Sequence, residues 1–297
     1  MTPDLLLTIA TASLLSTMLY VILKFFQAWK INNLHGLTFN YISAAILSFL
    51  YDFQGNLAIL DQASGFIHAA AMIGLLFIIV FYITALTAQK SGIAVTSIAG
   101  KMSMVIPIVA GIYLYNDAVY IRKVTGIMIA LAAVVLSSLK SSEKKEDQSA
   151  NKGILIWLLP ILLFTGSGLV DTSIKISQHY FITERNQGLY ISFLFGSAGI
   201  IGLLLSVYQI IKNKLKIELK SIAGGILLGI TNFYSLEFLI KALAHPGAES
   251  SIIFAISNVM VVLMSAIFAI VIFKERLSKL NIAGLCLSII SIYLLTL

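Results

Sequence analysis

Ten apolar runs dominate this chain, at about residues 5–28, 36–51, 65–88, 92–116, 119–139, 153–177, 187–211, 221–244, 248–273 and 278–297. A helix needs roughly 20 apolar residues to cross a ~30 Å hydrocarbon layer, and nearly every run meets that length. The second, at 16 residues, is the shortest. Hydrophobic residues make up 59% of the 297 positions and charged residues 11%, against about 45–50% and about 25% in soluble domains. A globule of this size cannot bury so much apolar surface, so a soluble enzyme and a disordered chain are excluded. The net charge of +7 is scattered over short segments between the runs, which argues against nucleic acid as a partner. The one cysteine, Cys286, lies inside an apolar run, which leaves no disulfide or cysteine-based metal site. Residues 1–4 carry no Lys or Arg, and the run after them exceeds the 7–15 residues of a signal-peptide core. The first run therefore reads as a true span.

Connections between the runs are short, so the expected fold is an all-α integral membrane bundle of ten transmembrane helices. Alternate loops carry Lys30; Lys90; Lys140, Lys144, Lys145 and Lys152; Lys212, Lys214, Lys216 and Lys220; and Lys274, Arg276 and Lys279. That is thirteen cations on one side. The other side has three, Arg122, Lys123 and Arg185. Cytoplasmic loops collect Lys and Arg, so the rich side is the expected cytoplasmic one, with both termini outward in a cell (inner) membrane. Trp29 and Trp157 stand at helix ends on that side, as interface anchors do.

The chain also repeats. "FYITALTAQKSG" (81–92) lies over "FLIKALAHPGAES" (238–250), and Asp117 and Glu275 each stand nine residues before a glycine, Gly126 and Gly284. In the first and sixth runs Lys24 falls on Lys175, and Gln27 on Gln178. The expected organisation is a five-helix repeat over 1–139, a charged linker over 140–152 and a second five-helix repeat over 153–297. An odd number of spans forces the two copies into opposite orientations, the inverted-repeat plan of many secondary transporters.

With that layout, "FKERLSKLNIAG" (273–284), the acidic residues before the fifth and tenth runs, and Lys24 and Lys175 ending the first helix of each repeat, the chain resembles the EamA-type branch of the drug/metabolite transporter superfamily. A tryptophan–glycine pair common there is absent; Leu15-Ser16 and Thr165-Gly166 stand near those positions. The resemblance implies secondary transport, often export, of a small metabolite, often coupled to a proton or to exchange. It also implies cytoplasmic termini, opposite to the loop charges.

Ionisable groups deep in a bilayer are costly and mark function by default. Lys101 lies about 5 Å from the middle of its span, and its repeat counterpart falls near Asn258. Both are candidate substrate-binding residues, with Asn232 and Tyr234 in the eighth run and Lys24 and Lys175. Lys24, roughly 11 Å off centre, can also snorkel to water. Glu237, about 7 Å from its span centre, and Asp171 are candidate proton-coupling residues, because a low-dielectric cavity disfavours a charged carboxylate. Lys241 follows Glu237 by four residues, in the better order for a helical ion pair. Counting Lys24, Lys101, Lys175 and Lys241 against Asp171 and Glu237 leaves two excess positive charges, which favours an anionic or zwitterionic substrate. Pro107 and Pro160 are candidate hinges, since a mid-helix proline removes a backbone bond and kinks the helix. Glycines at 225 and 229, and at 196, 199 and 202, have the spacing of close helix contacts.

No catalytic cluster, phosphate loop or metal-ligand spacing is visible, so no enzyme activity and no cofactor is expected. The partners expected are a small-molecule substrate, the lipid bilayer and a proton as coupling ion, in a monomer or homodimer. A lipid-head-group carrier of the same fold and a non-transporting membrane scaffold are the alternative readings.

Overall fold

The computed structural model describes residues 3–115, 120–138, 150–180, 185–213, 216–243, 245 and 250–296. Asp117 and most of the charged linker lie outside the described residues, as does the side chain of Lys175. The described residues are mostly helical, with no strand among them. In chain order the helices are α1 (Pro3–Ala28), α2 (Asn33–Tyr51), α3 (Phe53–Ala58), α4 (Ile67–Lys90), α5 (Ile93–Met102), α6 (Val105–Tyr115), α7 (Ile121–Ser138), α8 (Ala150–Tyr180), α9 (Gln187–Asn213), α10 (Leu219–Leu243), α11 (Ser250–Val271) and α12 (Lys279–Thr296), with a 3-10 segment at Leu60–Gly65. Six apolar helical stretches are long enough to cross a membrane: Pro3–Ala28, Ile67–Lys90, Ile93–Ala110, Trp157–Ile174, Gln187–Lys212 and Leu219–Ala242. The shortest apolar run forms α2, which is not among them and carries Asn33, His35, Asn40, Ser43 and Ser48.

Many helix faces left exposed are themselves apolar. Met72, Leu75 and Ile79 on α4, Ile200, Leu204 and Ile211 on α9, and Ile282, Ile290 and Tyr293 on α12 are all exposed. Apolar patches of this kind do not persist against water on a monomeric soluble protein and suit a lipid surround.

Helix ends follow local rules. Asn32 caps α2, its Oδ1 accepting from the N–H groups of Leu34 (2.9 Å) and His35 (3.2 Å). Lys30 takes a left-handed φ of 52° after α1, and the Ile31 N–H closes the helix on the Phe26 carbonyl at 2.8 Å. At α12, Ser278 Oγ accepts from the Asn281 N–H at 3.1 Å while Asn281 Oδ1 accepts from the Ser278 N–H at 3.1 Å. This reciprocal capping satisfies two end donors at once.

The fold divides into two compact units, each drawing on both halves of the sequence. The first comprises Met1–Lys24, Ile83–Leu169 and Tyr234–Leu297; the second Phe25–Tyr82 and Val170–Phe233. In the first, α7 packs along α12, and α11 packs against α5 and α12. Its core joins Ile98, Met102, Val105, Ala130, Ala133, Val134, Phe164, Val262 and Ile292. Ser291 Oγ donates to the Gly126 carbonyl at 2.8 Å, an interhelical bond between α12 and α7.

In the second unit α2 packs along α9. A Cβ on Gly199 would stand 3.2 Å from the Ile42 backbone nitrogen, and one on Gly202 3.3 Å from Thr38 Cα. These small residues let the two backbones approach and let Thr38 and Ser206 share a hydroxyl hydrogen bond of 3.1 Å. Tyr41, fully buried, donates to the Phe77 carbonyl at 2.9 Å and packs among Phe77, Phe81 and Phe195.

Candidate functional site

The fourth apolar run forms two helices. α5 stops at Met102, Ser103 and Met104 form a turn, and α6 starts at Val105. Pro107 is the third residue of α6, and Ser103 stands four residues before it. A proline lacks the N–H that would bond that carbonyl, and its ring presses against it. The ladder therefore tightens locally: the Ile106 N–H reaches the Ser103 carbonyl at 2.9 Å, and Ser103 Oγ donates to the Gly100 carbonyl at 2.6 Å. α8, by contrast, runs on as one helix through Pro160, the other candidate hinge.

Lys101 sits in the last turn of α5, half-buried, one residue before that helix ends. A cation is favoured there by the partial negative charge of a helix C-terminus. Around it the first unit gathers polar groups from three helices. Asn258 Nδ2 of α11 donates to Met104 Sδ at 3.7 Å, in the turn between α5 and α6. A Cβ on Gly100 would lie 3.2 Å from the Tyr20 hydroxyl of α1. Ser13 Oγ of α1 bonds Ser257 Oγ of α11 at 3.2 Å, and Ser97 of α5 bonds Ser265 of α11. The structure thus brings the neighbourhoods of Lys101 and Asn258 together. Tyr20, Ser13 and Ser257 were not singled out from the sequence, because a hydroxyl on an apolar helix gives no signal until its neighbours are known.

Lys24, expected to face substrate or water, has a partner within the protein. Its ammonium forms an ion pair with Glu275, the acidic residue of the "FKERLSK" segment. Lys24 also lies 5.1 Å from the centroid of the Phe273 ring. The same carboxylate accepts from the Ile93 N–H at 3.4 Å, at the start of α5. Room for it depends on Gly92, whose φ is 101° and whose Cβ, if present, would lie 2.6 Å from Glu275 Oε2. Gln89 Nε2, just before, donates to the Leu23 carbonyl at 2.9 Å. One carboxylate therefore ties the end of α1, the start of α5 and the turn after α11. It also corrects the tally of deep charges, since Glu275 offsets Lys24 and the excess falls from two to one.

Glu237 and Lys241 form the expected pair on α10, with Nζ to Oε1 at 3.4 Å; the acid is 15% exposed and the lysine 51%. Asn232 is buried and donates its Nδ2 to Asn40 Oδ1 at 3.3 Å, whereas Tyr234, two residues on, is exposed. The two therefore face different surroundings. Asp171 of α8 is exposed.

Glu275→Gln is expected to cost about 2 kcal/mol of stability. That lies between the 0–1 kcal/mol of a surface pair and the 3–5 kcal/mol lost on breaking a fully buried one, because the two side chains are 17% and 16% exposed. The double variant Lys24→Met/Glu275→Gln removes both charges and should recover part of the loss. Unfolding in detergent for the four proteins of the cycle measures this, and a coupling energy of zero would remove the pair as a stabilising element.

No protein-family model matches the chain. It is similar along nearly its whole length to a protein of Haemophilus influenzae described as an uncharacterized protein, with 27% identity over 294 residues covering 96% of this chain and 95% of the relative.

Proposed function

We propose that this chain is a secondary transporter of the EamA type in the drug/metabolite transporter superfamily. In this reading it has ten membrane spans in two inverted five-helix repeats. It moves a small anionic or zwitterionic metabolite across the cell membrane by alternating access, as an exporter or exchanger. The observation that carries the reading is the interrupted α5–α6 segment with Lys101 at its break and Asn258 against it. Transporters use discontinuous helices in this way, because half-helix ends present backbone groups where cargo binds. A carboxylate on the cargo would meet the Lys101 ammonium, and a polar atom beside it the Asn258 amide. The helix pairings support the repeat: α2 with α9 and α7 with α12 each join the same ordinal span of the two halves.

The test is uptake into liposomes of labelled amino acids, sugars and organic anions, with and without a pH gradient. Glu237 is the coupling residue in this reading. Glu237→Gln is expected to abolish the gradient-driven part of uptake, by about tenfold or more, while counterflow exchange without a gradient persists. Equal loss of both would make Glu237 a binding or structural group. Absence of any uptake by folded wild-type protein would favour the lipid-head-group carrier, which a fluorescent-lipid scrambling assay reads directly.

A further inference from the structure

Polar groups line up along one face of each of three helices in the first unit. On α1 they are Ser13, Thr17, Tyr20 and Lys24, and on α5 the Ile93 N–H, Ser97 and Lys101, at spacings of three and four residues that keep to one side of a helix. On α11 Asn258 and Ser265 stand two turns apart on a common side.

Contacts join these faces level by level. At the end that carries Lys90, Lys274, Arg276 and Lys279, Glu275 links Lys24 to the Ile93 N–H. One turn further along α5, about 6 Å on, Ser265 Oγ donates to Ser97 Oγ. At about 10 Å Gly100 lies beside the Tyr20 hydroxyl, and Lys101 follows it. Asn258 meets Met104 beyond. A polar line therefore runs from the ion pair to the neighbourhood of Lys101 and Asn258. Exposure falls from 17% and 16% at the side chains of Lys24 and Glu275 to 0% at Ser97 and Ser265. Access along this line from the lysine-rich end stops at the ion pair.

The pair also sits where the chain can move. Lys24 lies near the end of α1, and Glu275 lies in the turn between α11 and α12. Gly92, with φ of 101°, precedes the Ile93 N–H, and Lys274, with φ of 51°, precedes Glu275. Residues at element ends absorb the backbone changes of closing motions. Partial exposure lets water hydrate both charges when they separate, which removes much of the penalty of breaking a fully buried pair.

We propose that the Lys24–Glu275 pair is the gate that closes the lysine-rich end of the Lys101 site. One carboxylate holds three segments shut, and separation of the pair opens the line. What passes is the small anionic or zwitterionic cargo of the transport reading, on which this inference rests. Lys24, once released by Glu275, presents a second ammonium to that cargo on its way between Lys101 and the lysine-rich face.

Thiol labelling in sealed membrane vesicles tests the gate without cargo. In a Cys286→Ala background, Lys279→Cys, at an exposed position of the lysine-rich end, reports which vesicle face an impermeant methanethiosulfonate reaches. Ser97→Cys then reads access to the line between the gate and Lys101. With the native pair it should react slowly from the lysine-rich face. Glu275→Gln should speed it about tenfold or more from that face and not from the opposite one. Lys24→Met, which leaves Glu275 able to hold the Ile93 N–H, should do the same. An unchanged rate in either variant overturns the gate. So does equal speeding from both faces, which would mean a loosened fold. Uptake by wild-type protein together with unchanged labelling would remove the gate and leave the transport reading. One-sided labelling with no uptake of any compound would remove the transport reading and leave the gate.

Discussion

Lys101→Ala is expected to abolish measurable uptake in proteoliposomes while the protein remains monodisperse. A hydrogen bond to a charged group contributes about 1.5–3 kcal/mol, which is about 10–100-fold in apparent affinity. The position makes the loss larger for transport than for folding. Lys101 ends a half-helix, so the main-chain bonds of α5 do not depend on its side chain, whereas cargo recognition in the proposed site does. Lys101→Arg keeps the charge but replaces a compact ammonium with a planar fork, and should retain part of the activity. Unchanged uptake by Lys101→Ala would remove Lys101 from the site and with it the main support for an anionic cargo.

Gly225→Leu is expected to prevent stable folding, and Gly225→Ala to lower the unfolding midpoint in detergent clearly. Overpacking a well-filled contact costs about 1–3 kcal/mol when side chains can yield. At Gly225 the obstacles include the Gly36 carbonyl and the Asn40 nitrogen, and backbone inside a helix yields least. The cost should therefore reach or exceed the top of that range. A Gly225→Leu protein with a wild-type midpoint would mean that α2 and α10 do not approach in this register.

Much of the architecture was legible because the helix is a local structure. Each backbone donor finds its acceptor four residues back, so a run of apolar residues with polar ends announces its helix without knowledge of its neighbours. α4, α9 and α10 fall close to the runs at 65–88, 187–211 and 221–244. The small-residue spacing at 225 and 229 correctly marked a close contact. The ion pair of Glu237 with Lys241 was legible for the same reason, since four residues on one helix are adjacent in space. Pro107 pointed to the interruption in the fourth run, though the turn falls three to four residues before it, where its ring and missing N–H act. Pro160 carried the same signal and its helix continues, because a proline obliges a helix to lose one bond and does not oblige it to end.

The candidate site was legible only in its deep charges. Lys101 stood out because a charge inside an apolar run has few innocent explanations, and Asn258 followed from the repeat. Tyr20, Ser13 and Ser257 could not be found, since hydroxyls in a membrane helix commonly bond their own chain, as Thr17 does to the Ser13 carbonyl at 2.8 Å.

The amino-acid sequence by itself determined the all-helical class, the positions of the long apolar helices and the Glu237–Lys241 ion pair. All of these depend on residues within a turn or two of each other. Only the tertiary structure decided that Lys24 meets Glu275, 251 residues away, and that Asn232 bonds Asn40 across 192 residues. Such pairings depend on which face each helix turns to which neighbour. Helical periodicity leaves that choice open when nearly every face is apolar, because a hydrophobic stripe then no longer marks the inside.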